Sequence, residues 1–215
     1  MILFTRPDHD LLTNYLKIWS NDLVKKSCNL GKVSTVDLVG KKANRKKFEG
    51  YLNSNTNKNL VCFNGHGNEN FICGFGDEKL LVRDDFDIKR KINVVYARSC
   101  RVGRFLGGLM VRSGVKSFVG YNADFVVYMR KDRFLKPLKD DLAKKFIGPS
   151  NYLISQLLKN KTVNSANEKS KQMMKKEMIS LLSSGNKEDL NTATYLYSNL
   201  THQVVLGNGD CSIFA

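Results

Sequence analysis

The sequence predicts an α/β fold in three layers, with a mostly parallel sheet covered by helices on both faces. Three features point to it. Short β-prone apolar runs recur through residues 1–121. Stretches with apolar residues three and four apart lie between them. A single pair of these runs flanks a tight turn, so it alone forms a hairpin, and the remaining strands need parallel crossovers.

Ile2–Thr5 is the first β-prone run, ended by Arg6-Pro7-Asp8. From His9 to Lys26 the residues Leu11, Leu12, Tyr15, Leu16, Trp19, Leu23 and Val24 form one apolar helix face. Thr35–Val39 is the second strand, Ala43–Leu52 a basic helix and Asn53–Asn59 a polar loop. Leu60–Phe63 is the third strand and runs into Asn64-Gly65-His66-Gly67. Phe71–Phe75 and Lys79–Val82 flank Gly76-Asp77-Glu78 as a hairpin. Asn93–Ala97 is the fourth core strand and ends at Arg98-Ser99-Cys100. A helix over Phe105–Arg112 and a fifth strand over Ser117–Tyr121 follow.

Beyond Asp124 the pattern turns helical, over Lys131–Phe146, Ser150–Lys159, Glu168–Leu182 and Lys187–Leu200, with Gly148-Pro149 and Ser183–Asn186 separating pieces. The polar stretch Asn160–Lys171 reads as flexible or cleavable. His202–Leu206 and Cys211–Phe214 read as a closing strand pair. The 215 residues thus form one domain: a core over 1–125, a helical extension over 126–200 and a returning strand in 201–215.

A chain 42% hydrophobic and 26% charged folds as a globule. Its apolar runs are too short to span a bilayer, and its first residues lack the pattern of a secretory signal. Five cysteines, Cys28, Cys62, Cys73, Cys100 and Cys211, contain no CxxC pair, which argues against a thiolate zinc site and for free thiols in a reducing cytosol. Cys62 and Cys73 read as core thiols, and His9 as a residue flanking the first helix. The net charge of +15 permits an acidic partner. Lys41-Lys42, Arg45-Lys46-Lys47 and Lys169–Lys176 read first as solvated helix faces, with nucleic-acid binding as the alternative.

Two strand ends carry chemistry. One delivers His66 between two glycines, the other Cys100 before a glycine-containing turn into a helix. In open parallel sheets, ligands bind beyond the carboxyl ends of the strands. An imidazole there can serve a thiol as acid and base. Gly67 lets a substrate carbonyl approach its N–H, and the N–H of Cys100 supplies a second oxyanion donor.

The runs F-N-G-H-G and A-R-S-C-R-V-G, each ending an apolar strand, with a hairpin between them, resemble the caspase-like cysteine peptidases, a group that includes metacaspases, gingipain types, separases and the CHAT proteases. The tail G-N-G-D-C-S-I-F is similar to the G-D-P-S-L ending of several members, with Cys211 in place of proline. The resemblance covers residues 1–125 and the last fifteen. It implies a caspase-like sandwich with His66 as general acid and base, Cys100 as nucleophile, and Gly67 and Cys100 as the oxyanion hole. It implies no cofactor and no metal. The implied partners are a protein substrate and an activating protease or regulatory protein, with no membrane, in a prokaryotic defence or cell-death pathway. The separation of 34 positions from His66 to Cys100 is shorter than the roughly 50 of caspases. Two residues compete for the P1 side chain: Arg98 would pair with an acidic one and Asp124 with a basic one, or the two neutralise one another and leave an apolar pocket; the resemblance of the G-Y-N-A-D run to the G-x-L-W-D segment of separases and CHAT proteases favours Asp124. The alternative function is a catalytically inactive caspase-like scaffold or a basic nucleic-acid-binding module.

Overall fold

A computed structural model describes residues 1–54, 56–84 and 92–215; residue 55 of the polar loop lies outside them. Strands β1 (Ile2–Arg6), β2 (Thr35–Val39), β3 (Lys58–Asn64), β6 (Ile92–Arg98), β7 (Val115–Tyr121) and β8 (Gln203–Gly207) form one sheet in the order β2-β1-β3-β6-β7-β8. The first five run parallel, and β8 pairs antiparallel with β7. β4 (Phe71–Cys73) and β5 (Lys79–Val82) make the separate antiparallel hairpin that the turn Gly76-Asp77-Glu78 predicts.

Strand residues point alternately to the two faces, and each face has its own core. Ile2, Phe4, Leu60, Cys62, Val94 and Tyr96 pack with α1 (Leu11–Trp19), α2 (Asn21–Cys28), α5 (Asp141–Leu158) and α6 (Val163–Leu182). Leu3, Val61, Phe63, Val95 and Ala97 pack with α3 (Arg45–Leu52), the hairpin and α4 (Leu106–Arg112). Helices therefore cover both faces, and α5 and α6, from the segment expected as an extension, supply part of one layer. Among the described residues, no helix is long and apolar enough to cross a membrane.

The structure departs from the sequence expectations at five places. The helix expected from His9 to Lys26 is two helices, because Ser20 Oγ donates to Leu16 O (2.7 Å) and Lys17 O (3.0 Å) at the joint. Lys131–Phe146 begins as two isolated turns, Lys131–Arg133 and Pro137–Lys139; Asp140 then caps α5 by accepting from Leu142 N (3.1 Å) and Ala143 N (2.9 Å). Gly148-Pro149 does not break α5. Proline removes one helical hydrogen bond, but here both sides of the helix are clamped: Ile147, Leu153, Ile154 and Leu157 lie in the sheet-side core, and Ser170 Oγ donates to Pro149 O (3.0 Å). Asn160–Lys171 is not a loose linker, because α6 starts at Val163 and buries Val163, Ala166, Asn167 and Ser170. Its polar residues are polar for internal bonding, as where Gln203 Nε2 donates to Asn167 Oδ1 at 2.8 Å. Finally, β8 pairs with β7 and not with Cys211–Phe214, whose carbonyls are taken by other elements: Val163 N donates to Cys211 O (3.0 Å) and Asn59 Nδ2 to Ile213 O (2.7 Å).

Candidate functional site

β3 and β6 are neighbours in register, with Phe63 opposite Ala97 and Asn64 opposite Arg98. His66 and Cys100 each lie two residues past the last pair, at the same edge of adjacent strands. The chain after each strand is fixed. Gly65 N–H reaches Arg98 O at 3.5 Å, and Arg101 N and Gly103 N donate to Ala123 O and Tyr121 O, both at 2.9 Å. Arg101 takes a left-handed φ of 58°, which turns the chain sharply just after Cys100. Gly67 sits against this turn: a Cβ there would lie 3.1 Å from Ser99 Cβ, 3.3 Å from Val102 Cγ2 and 2.8 Å from Phe71 O. Only glycine fits, and the contact brings the His66-Gly67 and Ser99-Cys100 segments together.

Gly67 also bridges antiparallel to Ile72. The bonds of that bridge run from Cys73 N to His66 O (2.8 Å) and from Asn68 N to Phe71 O (3.0 Å), so Gly67 N–H is outside the ladder.

The imidazole of His66 is partly exposed, and its Nε2 bonds to Asp10 Oδ2 at 2.6 Å. Asp10 is the N-cap of α1. Its Oδ1 accepts from Thr13 N (2.8 Å) and Thr13 Oγ1 (3.0 Å), which fixes the carboxylate and aims Oδ2 at His66. Burial alone would push the Asp10 carboxyl up, but the Thr13 N–H and His66 outweigh it and hold its pKa below the usual value. An ionised Asp10 keeps a proton on Nε2, so Nδ1 is the nitrogen left to exchange protons.

Cys100 is half-buried. Burial pushes its thiol pKa up; the Phe125 N–H opposes this, while Asp124, which accepts from the thiol, adds to it. Asp124 itself is held ionised by Arg101, whose Nε and Nη2 grip its two oxygens at 2.8 and 2.9 Å. The thiol at rest is therefore protonated. Removing the Asp124 charge lowers the thiol pKa. Each unit of lowering raises the thiolate fraction about tenfold but reduces intrinsic nucleophilicity, a net gain of about threefold in alkylation rate. Cys100 of Asp124→Asn is expected to react faster with iodoacetamide at pH 7 than that of the wild type, read by mass spectrometry of the Cys100 peptide.

The two P1 candidates occupy different environments. Asp124 is about half exposed beside Cys100. Arg98 is only 1% exposed. Its Nε donates to Asn64 Oδ1 (2.6 Å), and its Nη1 to Asn151 Oδ1 (2.5 Å) and Ser150 Oγ (3.3 Å). Its guanidinium points inward and ties β3 and β6 to α5, so burial takes it away from an acidic P1 side chain.

Sequence reasoning missed Asp10, whose signal was the D-x-x-T capping pattern at the helix start. It also set aside His9, which stands against His66 with ring centroids 5.9 Å apart. No family model, curated protein or solved structure matches this chain.

Proposed function

We propose that the chain is a caspase-like cysteine peptidase using Cys100, His66 and Asp10. The observation that carries the reading is the register of β3 and β6, which sets His66 and Cys100 at equivalent places on one sheet edge. Nδ1 of His66 takes the thiol proton as Cys100 Sγ attacks the scissile carbonyl carbon. The tetrahedral oxyanion is stabilised by Gly67 N–H and Cys100 N–H. His66 then gives its proton to the leaving amine, and the C–N bond breaks to leave a thioester. Water attacks the thioester as His66 accepts its proton, and Cys100 departs as thiolate. Asp10 holds the imidazole in the tautomer that keeps Nδ1 free. Asp124, ionised beside the nucleophile, supports a preference for a basic P1 side chain, which would take the place of the Arg101 guanidinium now on its two oxygens.

The raised thiol pKa of Cys100 favours a second reading, a caspase-like scaffold without activity. A peptide library varied at P1, digested by the full chain, separates the two. Cleavage after lysine or arginine supports the peptidase. No cleavage of any peptide in the library overturns it.

A further inference from the structure

Three side chains from two other segments converge beside His66. His9 Nε2 lies 3.4 Å from Asp10 Oδ2 and 3.3 Å from Asp77 Oδ1, and His66 Nε2 lies 2.6 Å from Asp10 Oδ2. One ligand atom each from His9, His66 and Asp77 can be chosen so that all lie within 4.8 Å of one another. His9 and Asp10 come from the turn between β1 and α1, His66 from the end of β3, and Asp77 from the tip of the β4–β5 hairpin.

From this the geometry points to a binding site for a zinc-class divalent cation, held by His9, His66 and Asp77, with Asp10, which lies against both imidazoles, as the fourth donor once its hydrogen bond to His66 opens. Zinc binds imidazole nitrogen at about 2.0–2.1 Å and carboxylate oxygen at about 2.0–2.2 Å, so adjacent ligand atoms of a tetrahedron stand about 3.3–3.4 Å apart. The two His9 separations already have that value. The His66–Asp10 distance is that of a hydrogen bond, and it opens when a cation replaces the shared proton.

The surroundings suit the charge. Two carboxylates facing two imidazoles make a locally acidic cluster in a protein of net charge +15. A nitrogen and oxygen donor set with two imidazoles selects a transition cation over magnesium or calcium. The ligands are also oriented from behind. Thr13 holds Asp10 through Oδ1, leaving Oδ2 free to ligate, and Phe75 packs edge-on against His9 with centroids 5.5 Å apart. Nδ1 of His9 is buried with no hydrogen-bond partner among the described residues, so the polar contacts of this ring run through Nε2.

A cation here occupies His66 Nε2 and removes Asp10 from it. The consequence for catalysis, reversible inhibition, rests on the peptidase reading; the site itself does not.

The test uses the full chain stripped with a chelator. Zn²⁺ binding is measured by competition with a chromophoric chelator, and Co²⁺ serves as a spectroscopic probe. The expected result is one ion per chain, with visible cobalt bands of low coordination number and no sulfur-to-cobalt charge-transfer band. His9→Gln and Asp77→Asn should each weaken binding by at least about tenfold while keeping the wild-type circular dichroism. Cys100→Ala should bind as the wild type does. Absence of binding in the wild type overturns the site. So does a sulfur charge-transfer band lost in Cys100→Ala, which would move the ion to the thiol. In a second arm, Zn²⁺ added to a peptide-hydrolysis assay should stop turnover, and Asp77→Asn should need at least about tenfold more. Binding with these ligands but no hydrolysis by the metal-free chain retires the peptidase and keeps the site. Hydrolysis without such binding does the reverse.

Discussion

Replacing Cys100 or His66 by alanine should lower kcat/KM for the best library peptide by on the order of 10⁴-fold or more, and the double variant should fall no further. Nucleophile and base act in one step, so removing either removes the step. Independent binding residues would instead multiply their losses, and such multiplication, or undiminished turnover by Cys100→Ala, defeats the assignment. Asp10→Asn sharpens the test. Asparagine caps helices as well as aspartate does, so stability should change by less than about 0.5 kcal/mol. The amide has one oxygen, and the Thr13 N–H now held by Asp10 Oδ1 takes it. The amide NH₂ then faces His66 Nε2 and forces the ring proton onto Nδ1, where the thiol proton should go. The expected loss is about 10²- to 10⁴-fold in kcat, with an unchanged urea midpoint. A purely structural role for Asp10 predicts the opposite, full activity in whatever fraction remains folded.

The sheet was legible because its inner parallel strands are short runs buried on both faces. Leu60–Phe63 and Asn93–Ala97 have no polar face to disguise them. The helix errors share one cause: what ends a helix here depends on contacts remote in sequence. Ser20 could have faced solvent in one long helix, but it turns back onto Leu16 and Lys17, where Arg6 from β1 also donates to Lys17 O at 2.8 Å. Pro149 reads as a breaker until α6 is laid against it. The same limit applies to the candidate site. His66 and Cys100 could be proposed because each follows its own strand end, a local signal. Asp10 stands 56 residues before His66, and Asp77 stands 68 after His9. Only the folded sheet edge and the hairpin tip bring these pairs together.

The largest stability loss is expected at Arg98→Ala, about 3–5 kcal/mol by urea unfolding. Burial draws the guanidinium's pKa below its usual value, which reflects the expense of holding this charge away from water with only neutral oxygens as acceptors. Those acceptors are themselves anchored: Asn64 Nδ2 donates to Thr5 O at 2.9 Å, and Asn151 Nδ2 to Trp19 O at 2.7 Å. Arg98 is thus the middle of a chain of bonds from β1 through β3 and β6 to α5 and the end of α1. Alanine leaves a void and strips donors from buried oxygens, at about 1–3 kcal/mol for each group left unsatisfied. Arg98→Met fills most of the void and removes the desolvated charge, so it should lose less than alanine does. The pair of variants also separates two roles for this arginine. A residue that grips substrate loses turnover at unchanged stability, equally in both variants. A residue that braces the two strand ends loses stability first, with turnover following stability from methionine to alanine, because Asn64 and Arg98 sit two residues before His66 and Cys100. The enclosed guanidinium predicts the second pattern, and equal unfolding midpoints for wild type and Arg98→Ala would overturn it.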